Sequence, residues 1–386
     1  MNHILLSPPD MTGEELSYVQ EAIESNWIAP MGFHVNQFER EIAEYVNSPY
    51  AVAVSSGTAG LHLALLAIGI QPGDYVFCPT FTFIASINPI VYEKGIPIFI
   101  DSDQETWNMS PKALRKAFQS AAACNQLPKA VIVTHIYGQN AQMAVIKEIC
   151  DEYQTPIIED AAESLGSIYQ GQFSGTIGDI GVYSFNGNKM ITTSGGGMIV
   201  CKNKELEKRM KYLATQAKSA VPYYLHETIG YNYRMSNLLA AVGRAQLKSI
   251  NQKIKRRRDI FQYYKESFTG NPNIMPMPDD QNGSFSNRWL SSFVLQSGNP
   301  GELVEILDRK NIESRRLWNP MHQQPVFKNT KIFTEQVDVC FADQLFESGI
   351  SLPSGSNLTE DEQQYVIHQV EEYLTQSARK VAKHEW

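Results

Sequence analysis

Residues 50–70, YAVAVSSGTAGLHLALLAIGI, hold a strand, a turn and a helix in immediate succession. The apolar run 50–54 predicts a short buried strand, residues 55–58 predict a turn, and the apolar run 59–70 predicts a helix. Similar short apolar strands, each separated from the last by a helical stretch, are predicted at residues 75–78, 97–100, 130–134 and 156–159. Strands that alternate with helices predict an α/β fold with a large, mostly parallel sheet and helices on both of its faces.

Polar groups follow two of these strands at the points where the strands end. Gly57 and Thr58 open the first helix, and a helix start offers free backbone N–H groups and a positive dipole end that suit a phosphate. Ser and Thr also cap helices that bind nothing, so this turn alone leaves both interpretations open. Asp160 follows the strand at 156–159. Ligands bind at the carboxyl ends of the strands in such sheets, so the turn and Asp160 can face one crevice.

A lysine stands in a small-residue loop further along the chain. Residues 184–197, SFNGNKMITTSGGG, place Lys189 among small and polar residues. Pyridoxal phosphate requires a lysine amine for its Schiff base and an acid that keeps its ring nitrogen protonated. We therefore interpret Lys189 and Asp160 as a pair that binds this cofactor. A solvated surface lysine and a turn aspartate are the simpler alternatives for the two residues taken alone.

The composition is that of a globular protein with room for more than one domain. Of the 386 residues, 43% are apolar and 19% are charged, and the length allows a large buried core. We expect a large α/β domain of residues 1–250 and a smaller α+β domain of residues 251–386. The 33 basic and 41 acidic residues give a net charge of −8, which argues against nucleic acids and anionic membranes as partners.

Cysteine usage and hydropathy indicate a cytoplasmic protein. The five cysteines are widely spread and contain no CxxC pair, which disfavours a disulfide framework or a zinc knuckle and fits a reducing compartment. We expect no metal site. The first residues, MNHILLSPPDM, do not have the sequence pattern of a secretory signal. The sequence contains no run of 18 apolar residues, so we expect no membrane span.

A long helical run is predicted at residues 237–268, and it carries a cluster of basic residues at 253–258. We interpret this cluster as the solvated face of a helix that joins the two domains, because the negative net charge disfavours a nucleic-acid site. Beyond it, a strand at 289–294, a helix at 301–309 and a strand at 312–316 predict the α+β domain. A capping box predicts that the last helix starts at Thr359.

Several long strings resemble one protein family in the family's order. They are NWIAP, FERE, SSGTAGLHLAL, PTFTFIASINPI, IEDAAESLG, SFNGNKMITTSGGGM, GYNYRMSNLLAAVGRAQL and SRRLWNPMH. The chain resembles the DegT/StrS family of pyridoxal-phosphate-dependent sugar-nucleotide aminotransferases. The resemblance implies the aspartate-aminotransferase-like fold (fold type I), with a mostly parallel seven-stranded sheet. Within the family the chain is most similar to bacillosamine-type 4-aminotransferases, which aminate C4 of UDP-4-keto-6-deoxy-N-acetylglucosamine, and to exopolysaccharide-biosynthesis aminotransferases.

The resemblance implies roles for individual residues. Lys189 acts as the catalytic base and acid. Some dehydratases of the family have a histidine in place of this lysine, and this chain keeps the lysine, which favours transamination. Asp160 pairs with the ring nitrogen, and Glu163 lies near the 3-hydroxyl side of the cofactor, where many relatives have His or Gln. Phe83 stacks on the cofactor ring. The remaining implied contacts are to the cofactor phosphate, from Gly57, Thr58, Ser184 and Asn232, and to the nucleotide sugar, from Asn26, Trp27, Asn319 and His322.

In relatives the residue at the position of Asn232 reaches the phosphate from the neighbouring subunit, so the resemblance implies a homodimer with composite active sites. The implied reaction uses L-glutamate as amino donor and a UDP-sugar as acceptor, on the way to a bacterial surface glycan or exopolysaccharide. Three alternatives stay open. They are a dTDP-3-keto-sugar 3-aminotransferase, a non-catalytic pyridoxal-phosphate-binding regulator, and an enzyme that uses only free amino acids.

Overall fold

The computed structural model describes residues 3–384, with side chains as far as residue 378. The helices are α1 (Glu15–Glu24), α2 (Phe33–Tyr45), α3 (Gly57–Ala67), α4 (Asn88–Tyr92), α5 (Pro111–Ala123), α6 (Met143–Glu152), α7 (Lys204–Ala214), α8 (Asn237–Lys248), α9 (Ile250–Ser267), α10 (Pro300–Arg309), α11 (Phe341–Ser348) and α12 (Glu360–His384). The strands are β1 (Tyr50–Val54), β2 (Tyr75–Pro79), β3 (Ile96–Ile100), β4 (Ala130–Thr134), β5 (Ile157–Asp160), β6 (Ile168–Tyr169), β7 (Gln172–Phe173), β8 (Ile180–Ser184), β9 (Gly197–Cys201), β10 (Ile274–Pro276), β11 (Ser284–Phe285), β12 (Ser291–Leu295), β13 (Arg315–Arg316), β14 (Ile332–Phe333) and β15 (Gly349–Leu352).

The predicted large, mostly parallel sheet is confirmed. Its strand order is β1-β9-β8-β5-β4-β2-β3-β14. Strand β9 runs antiparallel to β1 and β8, and the other neighbouring pairs are parallel. The sheet has one strand more than the seven expected, because the two-residue strand β14 from the C-terminal half adds to the edge of β3.

Helices cover both faces of this sheet, which explains why its strands are continuous apolar runs. All five residues of β4, AVIVT, are buried. One face packs on α3 and α7 through a core that includes Leu61, Leu65 and Leu213. The other face packs on α5 and α6 through a core that includes Leu114 and Ile146. The carboxyl ends of the parallel strands therefore form the open edge where loops can build a site.

The C-terminal half forms an antiparallel sheet of order β10-β12-β15-β13 with its own core. Tyr264, Phe293, Leu303 and Val366 are buried in that core. The predicted strand at 312–316 is shorter than expected, and as β13 it pairs antiparallel with β15. The division into residues 1–250 and 251–386 stays a prediction. The capping box of α12 is confirmed, since Thr359 and Glu362 bond reciprocally at the helix start.

The long helical run at 237–268 is two helices rather than one. It breaks at Ser249, which has φ −97° and ψ 0°. The solvated face expected for its basic cluster is wrong for two residues, because Lys253 and Arg257 are buried. The Lys253 amine donates to the Asp10 carbonyl at 2.5 Å, and the Arg257 guanidinium donates to the Trp289 carbonyl at 2.6 Å. These buried cations fasten the N-terminal segment and the loop before β12 to α9.

Across the residues described, no helix combines the length and the apolar character that crossing a membrane requires. The five cysteines are free thiols in the structure.

Candidate active site

Lys189 lies in the loop between β8 and β9, with its amine turned into the protein. Its side chain is only 13% exposed, and Nζ lies 3.3 Å from Oε1 of Glu163. The same nitrogen lies 3.9 Å from the centroid of the Trp289 ring. A backbone hydrogen bond from Lys189 N–H to the Asn186 carbonyl closes a turn in the loop. The lysine is therefore held between a carboxylate and an indole face rather than solvated.

Asp160 ends β5 and is buried beside the lysine loop. The Ser86 hydroxyl donates to its Oδ2 at 2.6 Å, and the Ala162 N–H donates to its Oδ1 at 3.2 Å. Burial raises the pKa of the Asp160 carboxyl, while the Ser86 hydrogen bond, the Ala162 N–H and the positive charge of Lys189 oppose this shift. The structure thus brings the two residues of the predicted pair into one buried environment.

Glu163 is the second buried carboxylate of this site. Its Oε2 accepts a hydrogen bond from the Tyr137 N–H at 2.7 Å, and its Oε1 faces Lys189. Burial raises the pKa of Glu163, the charge of Lys189 opposes this, and the nearby Asp160 charge adds to the rise. One lysine amine therefore faces two acids whose burial favours their neutral forms. Such a cluster can hold and move protons.

The start of α3 meets the end of β8 at the same edge of the sheet. The Ser56 hydroxyl accepts the Ala59 N–H at 3.0 Å, and the earlier N–H groups of the helix, at Gly57 and Thr58, have no acceptor within the helix. A Cβ on Gly57 would lie 3.2 Å from the Cβ of Ser184. The three residues predicted to hold a phosphate from one chain, Gly57, Thr58 and Ser184, therefore lie together, at an anion-favouring helix end.

Aromatic side chains form one wall of the site, and most of them were not predicted. Phe83 is half exposed, and its ring centroid lies 5.2 Å from that of Trp318. Trp318 is stacked against Tyr137 with an angle of 6° between the rings. Tyr137 and Trp289 are also stacked. Trp318 stands inside the string SRRLWNPMH, so this string carried a signal for it, whereas no motif marked Tyr137 or Trp289.

A cavity of about 230 Å³ opens next to the lysine loop. Its lining includes Asn188, Trp289 and Arg315. The Trp289 Nε1–H donates to the Asn188 carbonyl at 2.7 Å, while the Asn188 side-chain oxygen is buried without a hydrogen-bond partner among the described residues. Arg315 is largely exposed and donates to Glu313 at 2.9 Å. This cavity offers a cation and polar groups within reach of the lysine loop.

The predicted sugar contacts divide into two groups. His322 lies at the sheet edge, where its Nδ1 is 2.7 Å from the Thr80 hydroxyl, and Asn319 stands beside it with a buried side-chain oxygen that lacks a partner in the described chain. Trp27, in contrast, lies in the loop between α1 and α2 and is 54% exposed, with Asn26 next to it in the left-handed region at φ 57°. The structure therefore places one group near Phe83 and the other on the surface.

The Asn232 side chain makes its hydrogen bond outside the lysine loop. Its side-chain oxygen accepts a hydrogen bond from Gln216 at 3.1 Å on the surface. Among residues 3–378, no hydrogen bond or ion pair links Asn232, Asn26 or Trp27 to the lysine loop. The role implied for Asn232, contact with the phosphate of a neighbouring subunit's site, stays a prediction.

The residues present fit pyridoxal phosphate. A buried lysine amine, a buried aspartate at a strand end, and a helix start beside Ser184 match its aldehyde, ring nitrogen and phosphate. The comparisons with known proteins agree. Residues 9–371 match the DegT/DnrJ/EryC1/StrS aminotransferase family. The chain is 49% identical to EpsN of Bacillus subtilis, whose name describes a pyridoxal phosphate-dependent aminotransferase, over 94% of each chain.

Two further comparisons extend this agreement. The chain is 37% identical to GDP-perosamine synthase of Escherichia coli O157:H7, over 97% of this chain and 100% of that one. Its fold matches Spr1654 of Streptococcus pneumoniae, named as a sugar aminotransferase and solved in its PLP-form, with a TM-score of 0.87, 25% identity, and coverage of 98% and 99%. The fold is therefore PLP fold type I and the cofactor is pyridoxal phosphate. The chain belongs to the DegT/DnrJ/EryC1/StrS aminotransferase family of sugar aminotransferases.

Proposed function

We propose that the protein transfers the amino group of L-glutamate to C4 of a UDP-4-keto-6-deoxy-N-acetylhexosamine, for the synthesis of a bacterial surface glycan or exopolysaccharide. The observation that carries this proposal is the buried cluster of Lys189, Glu163 and Asp160 at the carboxyl edge of the sheet. The strings SFNGNK and EDAAESLG, which resemble the 4-aminotransferases, supply the preference for C4. The free cysteines fit the cytoplasmic location that we propose for the enzyme.

In this proposal the chain's own residues hold the cofactor at three points. Gly57, Thr58 and Ser184 bind its phosphate, Asp160 accepts from its ring nitrogen, and Phe83 lies against its ring. When bound, pyridoxal phosphate supplies an aldehyde that takes up an amino group and a protonated ring that withdraws electrons.

Lys189 Nζ is the group that takes up and returns the proton of the amino donor. Glu163 Oε1, 3.3 Å away, orients this amine. Tyr137 N–H in turn fixes Glu163 from the opposite side. The aromatic wall formed by Tyr137, Trp289 and Trp318 keeps water from the lysine, which strengthens every charge interaction inside the site.

We place the donor glutamate in the cavity beside Asn188. Arg315 is the cation that can bind a carboxylate there, because a guanidinium offers paired N–H groups in the geometry of a carboxylate. Glu313 occupies one of the Arg315 donors and leaves others available. The Leu6 N–H donates to the second oxygen of Glu313 at 2.9 Å, so the carboxylate that pairs with Arg315 is itself held by the backbone.

We also propose a homodimer with composite sites. The segment between α7 and α8 carries the exposed apolar residues Tyr223, Tyr224 and Ile229, and Ile229 is 80% exposed. The α1–α2 loop adds Trp27 and Met31, which are also exposed. Exposed apolar clusters of this kind mark protein–protein interfaces. These two segments also carry Asn232 and Asn26, two predicted site residues that have no hydrogen bond or ion pair to the lysine loop among residues 3–378.

The test is a panel of UDP-, GDP- and dTDP-linked keto sugars, each incubated with purified enzyme and glutamate, with products identified by mass spectrometry and NMR. We expect a 4-amino product from the UDP sugar and none from a Lys189→Ala variant, which should also lose the visible absorbance of the bound cofactor. Turnover that survives in Lys189→Ala would refute the assigned role.

A second candidate acceptor is a GDP-linked keto sugar, favoured by the similarity to GDP-perosamine synthase. A product from the GDP sugar alone would replace the UDP assignment. A product aminated at C3 of the dTDP sugar would establish the 3-aminotransferase alternative. Glutamate–keto-acid exchange without any sugar product would show an enzyme of free amino acids, and cofactor binding without any exchange would show a regulator.

A further inference from the structure

A chain of three buried hydroxyl groups ends on Asp160. Thr82 Oγ1 lies 3.0 Å from Thr134 Oγ1 and 2.7 Å from Ser86 Oγ. Ser86 Oγ then lies 2.6 Å from Asp160 Oδ2. Ser86 and Thr82 are completely buried, and Thr134 and Asp160 are nearly so. The hydroxyls come from three separate places in the chain, namely the loop after β2, the short turn of helix that follows it, and the end of β4.

The sheet register brings this chain to Asp160. Thr134 is the direct neighbour of Asp160 across the β4–β5 pair. An ionised carboxylate only accepts hydrogen bonds, so Ser86 must donate to Asp160 and is left to accept from Thr82. Thr82 is then left to accept from Thr134. Hydrogen bonds that all run in one direction strengthen one another, so the chain favours the ionised form of Asp160.

The two oxygens of Asp160 are unequal as a result. Oδ2 takes the short bond from Ser86, whereas Oδ1 takes only the longer bond from the Ala162 N–H among the described residues. We infer that Ser86 is a positioning residue, which holds Oδ2 of Asp160 and so presents Oδ1 to the ring nitrogen of bound pyridoxal phosphate. This inference rests on the role proposed for Asp160.

The hydroxyl chain also decides where a shared proton rests. A carboxylate that receives a strong hydrogen bond is a weaker base than a buried carboxylate without one. Ser86 therefore keeps the proton on the ring nitrogen rather than on Asp160. Burial raises the pKa of Asp160, and Ser86 is the largest of the contacts that oppose this rise. Removal of the hydroxyl should weaken cofactor binding and change the pH dependence of the bound cofactor's spectrum.

The experiment compares cofactor binding by variants of the full-length protein. Ser86→Ala removes the donor, and Thr82→Val removes the second hydroxyl at almost unchanged volume. Ser292→Ala is the matched control, because Ser292 is also a fully buried serine in a hydroxyl pair, at 2.9 Å from Ser351, but in the C-terminal sheet. Pyridoxal phosphate is titrated into the cofactor-free form of each variant. The absorbance of the bound cofactor is then followed against pH.

We expect the Kd for pyridoxal phosphate to rise about tenfold in Ser86→Ala, the range for a hydrogen bond to a charged group. Thr82→Val should show a smaller rise of about threefold, because it acts through Ser86. The spectral pH profile should shift in Ser86→Ala, and Ser292→Ala should match the wild type in both measurements. If Ser86→Ala fails to fold, the Thr82→Val result decides. The inference would be overturned if Ser86→Ala bound pyridoxal phosphate with wild-type affinity and an unshifted pH profile. If Ser86→Ala does not fold, the same result in Thr82→Val would overturn it.

A double-mutant cycle with Asp160→Asn separates this inference from the proposed site. If Ser86 acts through the Asp160 charge, Ser86→Ala should change the Kd little in the Asp160→Asn background. An equal loss in both backgrounds would show a merely structural role and overturn the inference. Wild-type affinity in Asp160→Asn itself would instead remove Asp160 from the cofactor site, and the proposed function would fail for that separate reason.

Discussion

Glu159→Gln should strongly destabilise the protein, although the two side chains have almost the same shape. Glu159 is fully buried one residue before Asp160 and accepts four hydrogen bonds. The donors to its Oε2 are His135 Nε2 and the Gly175 N–H, both at 2.8 Å. The donors to its Oε1 are the N–H groups of Ile177 at 2.7 Å and Gly178 at 2.5 Å.

The magnitude follows from the donor count. A glutamine keeps one acceptor oxygen and turns an NH₂ group toward the other two donors, so two buried donors lose their acceptor in either orientation. His135 cannot adapt by switching tautomer, because its Nδ1 accepts the Ala141 N–H at 3.2 Å. Each stranded donor costs about 1–3 kcal/mol, so we expect the free energy of unfolding to fall by about 4 kcal/mol.

The assay is urea unfolding of the cofactor-free protein at several pH values. Burial alone would raise the pKa of Glu159, but the His135 hydrogen bond and the backbone donors hold it below its ordinary value of 4.5. A lowered folded-state pKa contributes stability that is complete above 4.5 and is lost as the pH falls through the folded-state value. The difference between wild type and Glu159→Gln should therefore be constant near neutral pH and shrink in acid.

The matched control is Glu152→Gln, which removes an exposed carboxylate paired with Arg115 at 2.8 Å. Exposed pairs of this kind contribute little, so its unfolding midpoint should match that of the wild type. The reasoning fails if Glu159→Gln unfolds at the same urea concentration as Glu152→Gln, or if its deficit grows in acid.

Three further predictions concern the assembled site. When Lys189→Ala chains and Asn232→Ala chains are mixed and refolded together, about a quarter of wild-type turnover should return. Half of the dimers are then hybrids, and each hybrid has one intact site. Turnover no higher than that of the two single variants would place Asn232 in its own subunit's site. Arg315→Met should raise the KM for glutamate about tenfold while the KM for the keto sugar stays constant; equal shifts in both would remove Arg315 from the donor pocket. Gly197→Ala should weaken cofactor binding, because its Cβ would lie 2.8 Å from backbone atoms at the start of α3. Gly195→Ala, with nothing within 4 Å, should bind the cofactor normally in the same titration.

The strands of the large sheet could be predicted because burial on both faces requires each strand to be a continuous apolar run. Such a run can be recognised in the sequence without knowing which strands pair with it. The run 130–134 reads as a strand by its β-branched, apolar composition alone. The short strand β14 left no such signal, since two residues are too few for a pattern. The break at Ser249 was missed for a related reason, because neither Gly nor Pro marks it.

The pattern of charged residues gave a wrong prediction of exposure where a segment distant in the chain covers the charged side chains. Lys253 and Arg257 have the composition of a solvated face, yet both are buried and donate hydrogen bonds to the carbonyls of Asp10 and Trp289 inside the protein. The same limit applies to Ser86, whose contact with Asp160 spans 74 residues of chain. Lys189 and Asp160 could be proposed from the sequence because the chemistry of the cofactor requires a lysine and an acid. No such requirement marks the residue that donates a hydrogen bond to the aspartate, since several residue types can do so.

The strand order explains why these residues, far apart in the chain, meet at one edge. In the order β1-β9-β8-β5-β4-β2, the antiparallel strand β9 separates β1 from β8, so β1 runs parallel to the strands that follow. The start of α3 after β1, Ser184 at the end of β8 and Asp160 at the end of β5 therefore all lie at the same edge. Thr134 ends β4, the next strand in that order, and Ser86 lies in the short turn of helix after β2, so both hydroxyls lie on the side of Asp160 away from Ser184. The phosphate end and the ring-nitrogen end of the proposed cofactor site are thus assigned to different strands, so a substitution at the end of one strand should disturb one end of the cofactor and spare the other.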